Sequence, residues 1–240
     1  MRDLEARRSQ LAANLERVRG RIDRAARDAG RSESPRLIVV TKFHPAEDVR
    51  LLAELGVTDV GENRDQEASA KSAELMDLGL SWHFIGQLQT NKAKSVVRYA
   101  DAVHSVDRAP LVAALAKAVE GEPSRAEKPP LACLVQVNLD PNAASGRGGA
   151  LPNELPGLAE LIASAAALRL AGVMAVAPLG EDPARAFDRL AQCSAAMQAE
   201  HPSATMVSAG MSQDLEQAVA AGATHVRIGT DVLGPRPRVL

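Results

Sequence analysis

The stretch Arg36-Leu37-Ile38-Val39-Val40-Thr41-Lys42 is the segment from which the fold of this chain can be predicted. Four consecutive apolar residues place side chains on both faces of an extended backbone, which is typical of a strand buried in a parallel sheet between helices. Lys42 follows at the carboxyl end of this strand, where α/β folds bind their ligands. On this stretch alone, an ordinary lysine whose ammonium reaches water is favoured over an amine nucleophile.

The composition sets limits on the class of protein. A chain of 240 residues, 46% of them hydrophobic, can bury the core of one α/β barrel, so one domain over residues 1–240 is expected. A formal net charge of −2 gives no electrostatic reason to expect nucleic acid or an acidic membrane as a partner. Cys133 and Cys193 are far apart, and residues 2–8 lead into a charged segment that does not resemble a signal peptide. We therefore expect a cytoplasmic protein without a membrane span.

Residues 3–29 carry apolar side chains at steps of three and four among arginines and acids. This spacing predicts a long amphipathic helix within the N-terminal segment 1–30. Packing of the apolar stripe against its own domain is favoured, and a partner helix is the alternative. The stripe consists of Leu4, Leu11, Leu15, Val18, Ile22, Ala25 and Ala29.

From Arg36 onward, segments with a strand pattern alternate with segments with a helix pattern. Eight such units predict a closed (β/α)8 TIM-type barrel of the α/β class with an extra N-terminal helix, and an open doubly wound sheet is the alternative. Gaps at 121–130 and 139–152 are predicted to be surface loops. The predicted strands are 36–41, 58–61, 81–85, 101–106, 131–138, 169–176, 204–208 and 224–228. The predicted helices are 45–55, 64–77, 89–98, 107–120, 153–167, 182–200, 212–221 and a short turn from Thr230.

Polar residues and glycines stand at the carboxyl ends of six predicted strands. If the barrel is right, these groups share one mouth, as an active or binding site on this fold requires. The segments are Lys42, Gly61-Glu62-Asn63, His83-Phe84-Ile85-Gly86-Gln87, Gln136 with Asn138, Ser208-Ala209-Gly210-Met211-Ser212, and Arg227-Ile228-Gly229-Thr230.

Two of these segments have the features of an anion site. Gly210-Met211-Ser212 opens a predicted helix, with Ser212 expected as its N-cap and a glycine that lets the backbone approach a ligand. Gly229-Thr230 repeats the arrangement after the eighth strand. Barrels often bind phosphate with the loops after strands seven and eight. Each segment alone is more often an ordinary helix cap or turn. Because both segments occur at adjacent strand ends with Arg227 between them, a phosphate site and a purely structural role are equally favoured.

A lysine on strand one, a phosphate cradle after strands seven and eight, and an arginine nearby together describe a pyridoxal 5'-phosphate site. Lys42 would condense with the aldehyde as a neutral amine, and the cradle would hold the phosphate at the opposite end of the ring. If the guanidinium of Arg227 faced the pyridine nitrogen, this cation would disfavour protonation there and leave the ring a weaker electron sink.

Several ordered motifs resemble the pyridoxal phosphate homeostasis protein family from the first strand to the C-terminus. The resemblance implies a barrel like the N-terminal domain of alanine racemase, with the cofactor covalently held as a Schiff base on Lys42. It also implies that Ser212, Gly229 and Thr230 hold the phosphate with Met211 alongside, that Arg227 lies at the ring nitrogen, and that Asn63 and Ser208 are further site residues. The motifs are Val39-Val40-Thr41-Lys42, Gly61-Glu62-Asn63 with Gln66-Glu67, Trp82-His83-Phe84-Ile85-Gly86, Leu88-Gln89-Thr90-Asn91-Lys92, Val135-Gln136-Val137-Asn138, Gly210-Met211-Ser212 with Asp214-Leu215-Glu216, and Val226-Arg227-Ile228-Gly229-Thr230 with Gly234.

The chain departs from the family pattern at three places. Thr41 stands where the family commonly has serine, which keeps the hydroxyl, and Arg64-Asp65 replaces a Tyr-Val pair. The loop after strand five usually carries a lysine, whereas here it reads Ser145-Gly146-Arg147-Gly148-Gly149. None of these changes affects the main anchors of the cofactor.

The sequence offers no second acid/base residue for the other face of the cofactor. Tyr99, the one tyrosine, lies at the end of the third of the predicted helices and is expected at the surface or in packing. His83 is expected to be a histidine satisfied by hydrogen bonds at a strand end, and His44, His104, His201 and His225 show no metal-ligand spacing. We therefore expect a carrier that buffers pyridoxal phosphate and delivers it to apo-enzymes, with no catalytic residue. A small amino-acid racemase or lyase is the alternative. A monomer is expected, and a weak dimer is the alternative.

Overall fold

The structure is a computed structural model that describes residues 2–140 and 148–235. In these ranges eight parallel strands pair in chain order, and the first also pairs with the last, so that the sheet closes into a barrel. The closed order confirms the predicted TIM-type barrel and excludes the open sheet. The strands are β1 (Arg36–Val40), β2 (Asp59–Glu62), β3 (Ser81–Phe84), β4 (Ala102–Val106), β5 (Leu131–Gln136), β6 (Leu168–Met174), β7 (Met206–Ser208) and β8 (His225–Ile228).

One helix precedes the barrel and another follows each strand. Three predicted helices are shorter than expected because a 3-10 turn occupies one end, at Met76–Leu78, Thr90–Lys92 and Pro152–Glu154. The helices are α1 (Arg2–Asp28), α2 (Ala46–Glu54), α3 (Asp65–Glu74), α4 (Ala93–Tyr99), α5 (Ala109–Glu120), α6 (Leu155–Ala163), α7 (Pro183–Glu200), α8 (Leu215–Ala220) and α9 (Thr230–Leu233).

The N-terminal helix α1 packs against the outside of its own barrel. Leu11, Leu15, Val18 and Ile22 are buried and belong to the main hydrophobic core. The helix contacts α2, α8 and α9, so it covers the seam where β8 meets β1. The prediction that the apolar stripe packs within the domain is therefore confirmed from Leu11 to Ala25, whereas Leu4 is 41% exposed and Ala29 follows the end of the helix.

The first strand has the environment that its sequence predicts. Ile38 and Val39 are fully buried, one on each side of the sheet, because helices cover the outer face and side chains fill the barrel. The predicted strand 131–138 ends at Gln136, and Val137 instead forms an isolated bridge with Ala150. The predicted loop 139–152 lies partly outside the described residues.

Candidate functional site

A cleft of about 740 Å³ opens at the carboxyl ends of the strands. Lys42 lines it from the end of β1, and Arg227 lines it from β8. Residues 211–214 line it after β7, and Gly229 and Thr230 line it after β8. The barrel therefore brings a primary amine, a guanidinium and two glycine-containing loops to one concave surface, although they are remote in sequence.

The turn that carries Lys42 is strained and held from both sides. Phe43 has φ of 69°, a left-handed conformation that is costly for a residue with a side chain. The backbone N–H of Phe43 donates to Oε1 of Glu67 (2.5 Å), and Nζ of Lys71 donates to the backbone oxygen of Thr41 (2.8 Å). Hydrogen bonds therefore fix the peptide groups on both sides of Lys42.

The groups that hold this turn form a buried charged cluster. Nζ of Lys71 also donates to Oε1 of Glu62 (2.8 Å) and Oε1 of Glu67 (2.6 Å), and the Thr41 hydroxyl donates to Oε1 of Glu62 (2.6 Å). Burial raises the pKa of Glu62, although the Lys71 ammonium and the Thr41 hydroxyl act in the opposite direction. The threonine at position 41 thus keeps a hydroxyl contact beside the lysine.

Arg227 is buried at the base of the cleft. Its Nη1 donates to Oγ of Ser208 (2.6 Å), and its Nη2 donates to the backbone oxygen of Ala175 (2.8 Å). Burial lowers the pKa of Arg227 to about 10, while Asp214 nearby acts in the opposite direction. The guanidinium is therefore still a cation at neutral pH, and two hydrogen bonds fix its orientation.

The segment after β7 differs from its prediction. Helix α8 begins at Leu215, with Asp214 at the N-cap position, so the prediction that Ser212 caps this helix is wrong. A turn separates Ser212 from the helix because Oδ1 of Asp214 reaches back to accept from the backbone N–H of Met211 (2.6 Å). Gly210 has φ of 91°, and an added Cβ would lie 2.7 Å from Cβ of Ala218. Glycine is therefore required where the chain turns into the cleft.

The N-terminal helix ties the two loops of the predicted phosphate cradle together. Nη1 of Arg21 donates to the backbone oxygen of Ser212 (2.7 Å) and lies 3.3 Å from Oδ2 of Asp231 in α9. The Arg21 guanidinium also pairs with Glu216 in α8. The α1 helix thus contributes to the geometry of the cleft as well as to the core.

Gly229 connects the end of β8 to the start of α9 at the cleft. A Cβ at this position would lie 3.1 Å from the backbone oxygen of Val40, because the end of β8 runs close to the end of β1. A side chain here would push these two strand ends apart. Thr230 follows as the first residue of α9 and is exposed on the cleft side.

The structure brings six of the eight predicted site residues together. These line the cleft: Lys42, Met211, Ser212, Arg227, Gly229 and Thr230. Ser208 lies beneath the cleft and contacts it through Arg227. Asn63 follows β2 outside the lining, and its Oδ1 is buried without a hydrogen-bond partner among the described residues. Gln136 does not line the cleft either, since its side chain donates to the backbone oxygen of Gly148.

One wall of the cleft comes from residues that the sequence does not single out. The loop 176–181 after β6 forms this wall, and Leu179 on it is 89% exposed. The strand pattern gives no signal for this loop, since it consists of apolar residues, proline, glycine and one glutamate without a chemical motif. Only the order of strands in the closed barrel places it near Lys42.

Two histidines with lowered pKa values should make the fold sensitive to acid. Burial, with His83 and Arg227 nearby, holds the pKa of His104 well below its usual value, and burial lowers the pKa of His225 to about 4. Unfolded histidine titrates near 6.5. Below pH 6.5 these histidines therefore bind protons in the unfolded chain but not in the folded chain. The free energy of unfolding decreases as the pH falls through this range.

When the pH falls from 7.5 to 5.5, we expect each of these histidines to lower the free energy of unfolding by about 1.4 kcal/mol. Urea unfolding at the two pH values measures the loss. In the variants His104→Gln and His225→Gln, the loss of unfolding free energy between the two pH values should in each case be smaller by the contribution of one histidine. An equal loss in wild type and both variants would contradict the assignment.

The described residues show neither a metal-binding cluster nor a membrane-spanning helix. Among residues 2–140 and 148–235, no group of three or more His, Cys, Asp or Glu side chains is arranged to hold a metal ion. Over the same ranges, no helix combines the length and the apolar character needed to cross a bilayer.

The comparisons with known proteins agree with this architecture. Residues 9–237 match the family described as alanine racemase, N-terminal domain, so the fold and its cleft define a member of that class. The pyridoxal phosphate homeostasis protein of Corynebacterium glutamicum is 42% identical over 92% of this chain and 99% of that protein. The chain belongs to the pyridoxal phosphate homeostasis protein family.

Solved structures show the same fold. PipY of Synechococcus elongatus, in a structure with PLP bound, is 34% identical and superposes with a TM-score of 0.77 over 93% of this chain and 100% of that chain. Alanine racemase of Corynebacterium glutamicum superposes with a TM-score of 0.66 at 15% identity, covering 97% of this chain and 62% of that one. The second likeness concerns the fold alone.

Proposed function

We propose that this protein binds pyridoxal 5'-phosphate as a Schiff base on Lys42, buffers the reactive aldehyde and delivers the cofactor to apo-enzymes. The observation that carries the proposal is that Lys42 and Arg227 line one cleft together with Ser212, Gly229 and Thr230. Membership of the homeostasis family and the PLP-bound structure of PipY support the same assignment.

The residues present fit this cofactor. The volume of the cleft, about 740 Å³, is in the range of small-molecule sites. The hydroxyl groups of Ser212 and Thr230 can donate to a phosphate, and Gly229 lets the backbone come close to it. Lys42 lines the same cleft just after the end of β1, where an amine can reach the other end of the same ligand.

The remaining predicted residues have secondary roles in the proposal. When bound, the cofactor supplies an aldehyde and an electron-accepting ring. Arg227 would stand at the ring nitrogen and would disfavour a proton there, because a second positive charge beside a guanidinium is unfavourable. Met211 lines the cleft beside Ser212, Ser208 holds Arg227, and Asn63 offers a buried acceptor oxygen.

A carrier needs a holding site but no acid/base pair. Tyr99 is buried at the end of α4, and its hydroxyl lies 3.4 Å from Oδ1 of Asp65, so this tyrosine does not line the cleft. We assign no catalytic residue. A monomer in the cytoplasm completes the proposal, and the free thiols of Cys133 and Cys193 are in keeping with a reducing compartment.

The proposal is tested by adding pyridoxal phosphate to purified protein and recording the absorption spectrum before and after borohydride reduction. We expect a saturable new band and, after reduction, one labelled lysine per chain by peptide mass mapping. The loaded protein is then incubated with L-amino acids in deuterated water. We expect no exchange of the α-hydrogen above the rate given by free cofactor.

The two arms separate the candidate functions. Exchange at enzyme-like rates would replace the carrier by a racemase or lyase that uses the same site. A protein that shows no saturable band would contradict cofactor binding altogether. Transfer to recipients is measured by mixing the loaded protein with an apo-enzyme and timing the return of its activity against the same amount of free cofactor.

A further inference from the structure

A continuous line of polar side chains crosses the interior of the barrel below the cleft. It joins Arg227 to Oγ of Ser208 (2.6 Å), this oxygen to Nδ1 of His104 (2.9 Å), Nε2 of His104 to Nδ1 of His83 (2.9 Å), and Nε2 of His83 to Oδ1 of Asp59 (2.9 Å). All five side chains are buried. Five polar groups in a barrel core need a reason, since apolar side chains usually fill it.

The line has a defined direction. Arginine only donates, so Ser208 accepts from Arg227 and its own hydroxyl hydrogen can donate to Nδ1 of His104. His104 is then neutral, with its hydrogen on Nε2, and donates to Nδ1 of His83. His83 in turn carries its hydrogen on Nε2 and donates to Asp59. Every link has one donor and one acceptor.

The opposite direction leaves an unsatisfied group. If His83 were doubly protonated, it would donate to His104, and His104 would donate through Nδ1 to Ser208. Ser208 would then accept twice, and its hydroxyl hydrogen would have no acceptor among the hydrogen bonds of the described residues. This hydroxyl is fully buried, so the loss would not be compensated by water.

The two ends of the line are also fixed. At the cleft, Nη2 of Arg227 donates to the backbone oxygen of Ala175. At the opposite end of the barrel, Asp59 begins β2 and accepts from the Thr58 hydroxyl at 2.7 Å. Burial would raise the pKa of Asp59, but the hydrogen bonds from His83 and Thr58 outweigh it and lower this pKa. A cation and a carboxylate thus stand at opposite ends of the two imidazoles.

We propose that Asp59, His83, His104 and Ser208 are positioning residues that hold the guanidinium of Arg227 in one orientation in the cleft. The line also keeps both imidazoles neutral, so that no second cation stands behind Arg227. The importance of this orientation for a ligand rests on the proposed function, because Arg227 is the residue assigned to the cofactor ring. The hydrogen-bond direction can be tested without any cofactor.

Nitrogen NMR of histidine-labelled protein without cofactor measures the direction. The chain has five histidines, so single His→Gln variants assign the signals. We expect His83 and His104 each to carry one hydrogen, on Nε2, at neutral pH. The variant Ser208→Ala should shift the Nδ1 signal of His104, since it removes the donor to that nitrogen. A doubly protonated His83, or a His104 with its hydrogen on Nδ1, would overturn the proposal.

The effect on Arg227 is measured with matched variants at position 104. His104→Met breaks the line with a side chain of similar size, whereas His104→Gln offers one donor and one acceptor in its place. We expect His104→Met to shift the absorption band of the bound cofactor and to release the cofactor roughly tenfold faster, the size of one lost hydrogen bond to a charged group. His104→Gln should restore most of both properties. Asp59→Asn and Ser208→Ala repeat the test if His104→Met does not fold.

The outcomes of the two experiments are distinct. If wild-type protein binds no cofactor, the proposed function fails, and the NMR signals still decide the direction of the line. If wild type binds the cofactor but the folded line-breaking variants keep its spectrum and its release rate, the positioning role is wrong. The positioning role is supported if wild type retains the cofactor, the line-breaking variants release it faster, and His104→Gln restores the wild-type release rate.

Discussion

Replacing Lys42 by alanine is expected to abolish the borohydride-reducible adduct with pyridoxal phosphate. Among the described residues that line the cleft, Lys42 is the one lysine, so no neighbouring amine can take its place. The other ligand contacts are spared, because Arg227, Ser212 and Thr230 reach the cleft from β8 and the following loops. The variant should therefore still bind the cofactor weakly and reversibly, without the spectral band of the Schiff base.

The measurement is peptide mass mapping after reduction, with Lys94→Ala as the control. Lys94 lies exposed on α4, away from the cleft, and its replacement should leave the labelling of Lys42 unchanged. Label that persists on another peptide in the Lys42→Ala protein at wild-type yield would show that the lysine assignment is wrong. Loss of label together with loss of all saturable binding would show that the adduct supplies most of the affinity.

The barrel could be predicted because its signals are local. Each strand is a short apolar run, each helix has its own periodicity, and strict alternation then fixes the sheet. Lys42 and Arg227 could be placed at one mouth for the same reason, since parallel strands end at one side of the barrel. The error at Ser212 arose because serine is a good N-cap in general. Here Asp214 folds back on Met211 and delays the helix by a turn.

Contacts between side chains from separate elements could not be predicted. The sequence predicts that hydrogen bonds satisfy His83, and they do, but its partners Asp59 and His104 come from the two neighbouring strands. Lys71 lies in an ordinary helical pattern in the sequence. Its contact with the backbone oxygen of Thr41 depends on how close α3 lies to the end of β1. The hydrophobic periodicity of the sequence does not predict this distance.

Replacing Lys71 by methionine is expected to lower the free energy of unfolding by about 3–5 kcal/mol, the usual cost of removing one partner from a buried ion pair. The ammonium is the shared donor to Glu62, Glu67 and the backbone oxygen of Thr41. Methionine keeps most of the packing of the stem but leaves two carboxylates close together. Urea unfolding at neutral pH measures the loss, and Lys94→Met on the exposed face of α4 is the control, with little expected change.

The pH dependence of this loss distinguishes an electrostatic cause from a packing defect. Burial already raises the pKa of Glu62 in the wild type, and removal of Lys71 takes away the cation that opposes this shift. A carboxyl with a raised pKa destabilises the fold when it is ionised, so the penalty is present at neutral pH and fades as the pH falls through that pKa. The difference between wild type and Lys71→Met should therefore narrow in mild acid, and Lys71→Met combined with Glu62→Gln should recover part of the stability at neutral pH. A loss that stays constant with pH, or a double variant no more stable than Lys71→Met, would mean that the stem of Lys71 matters and its charge does not.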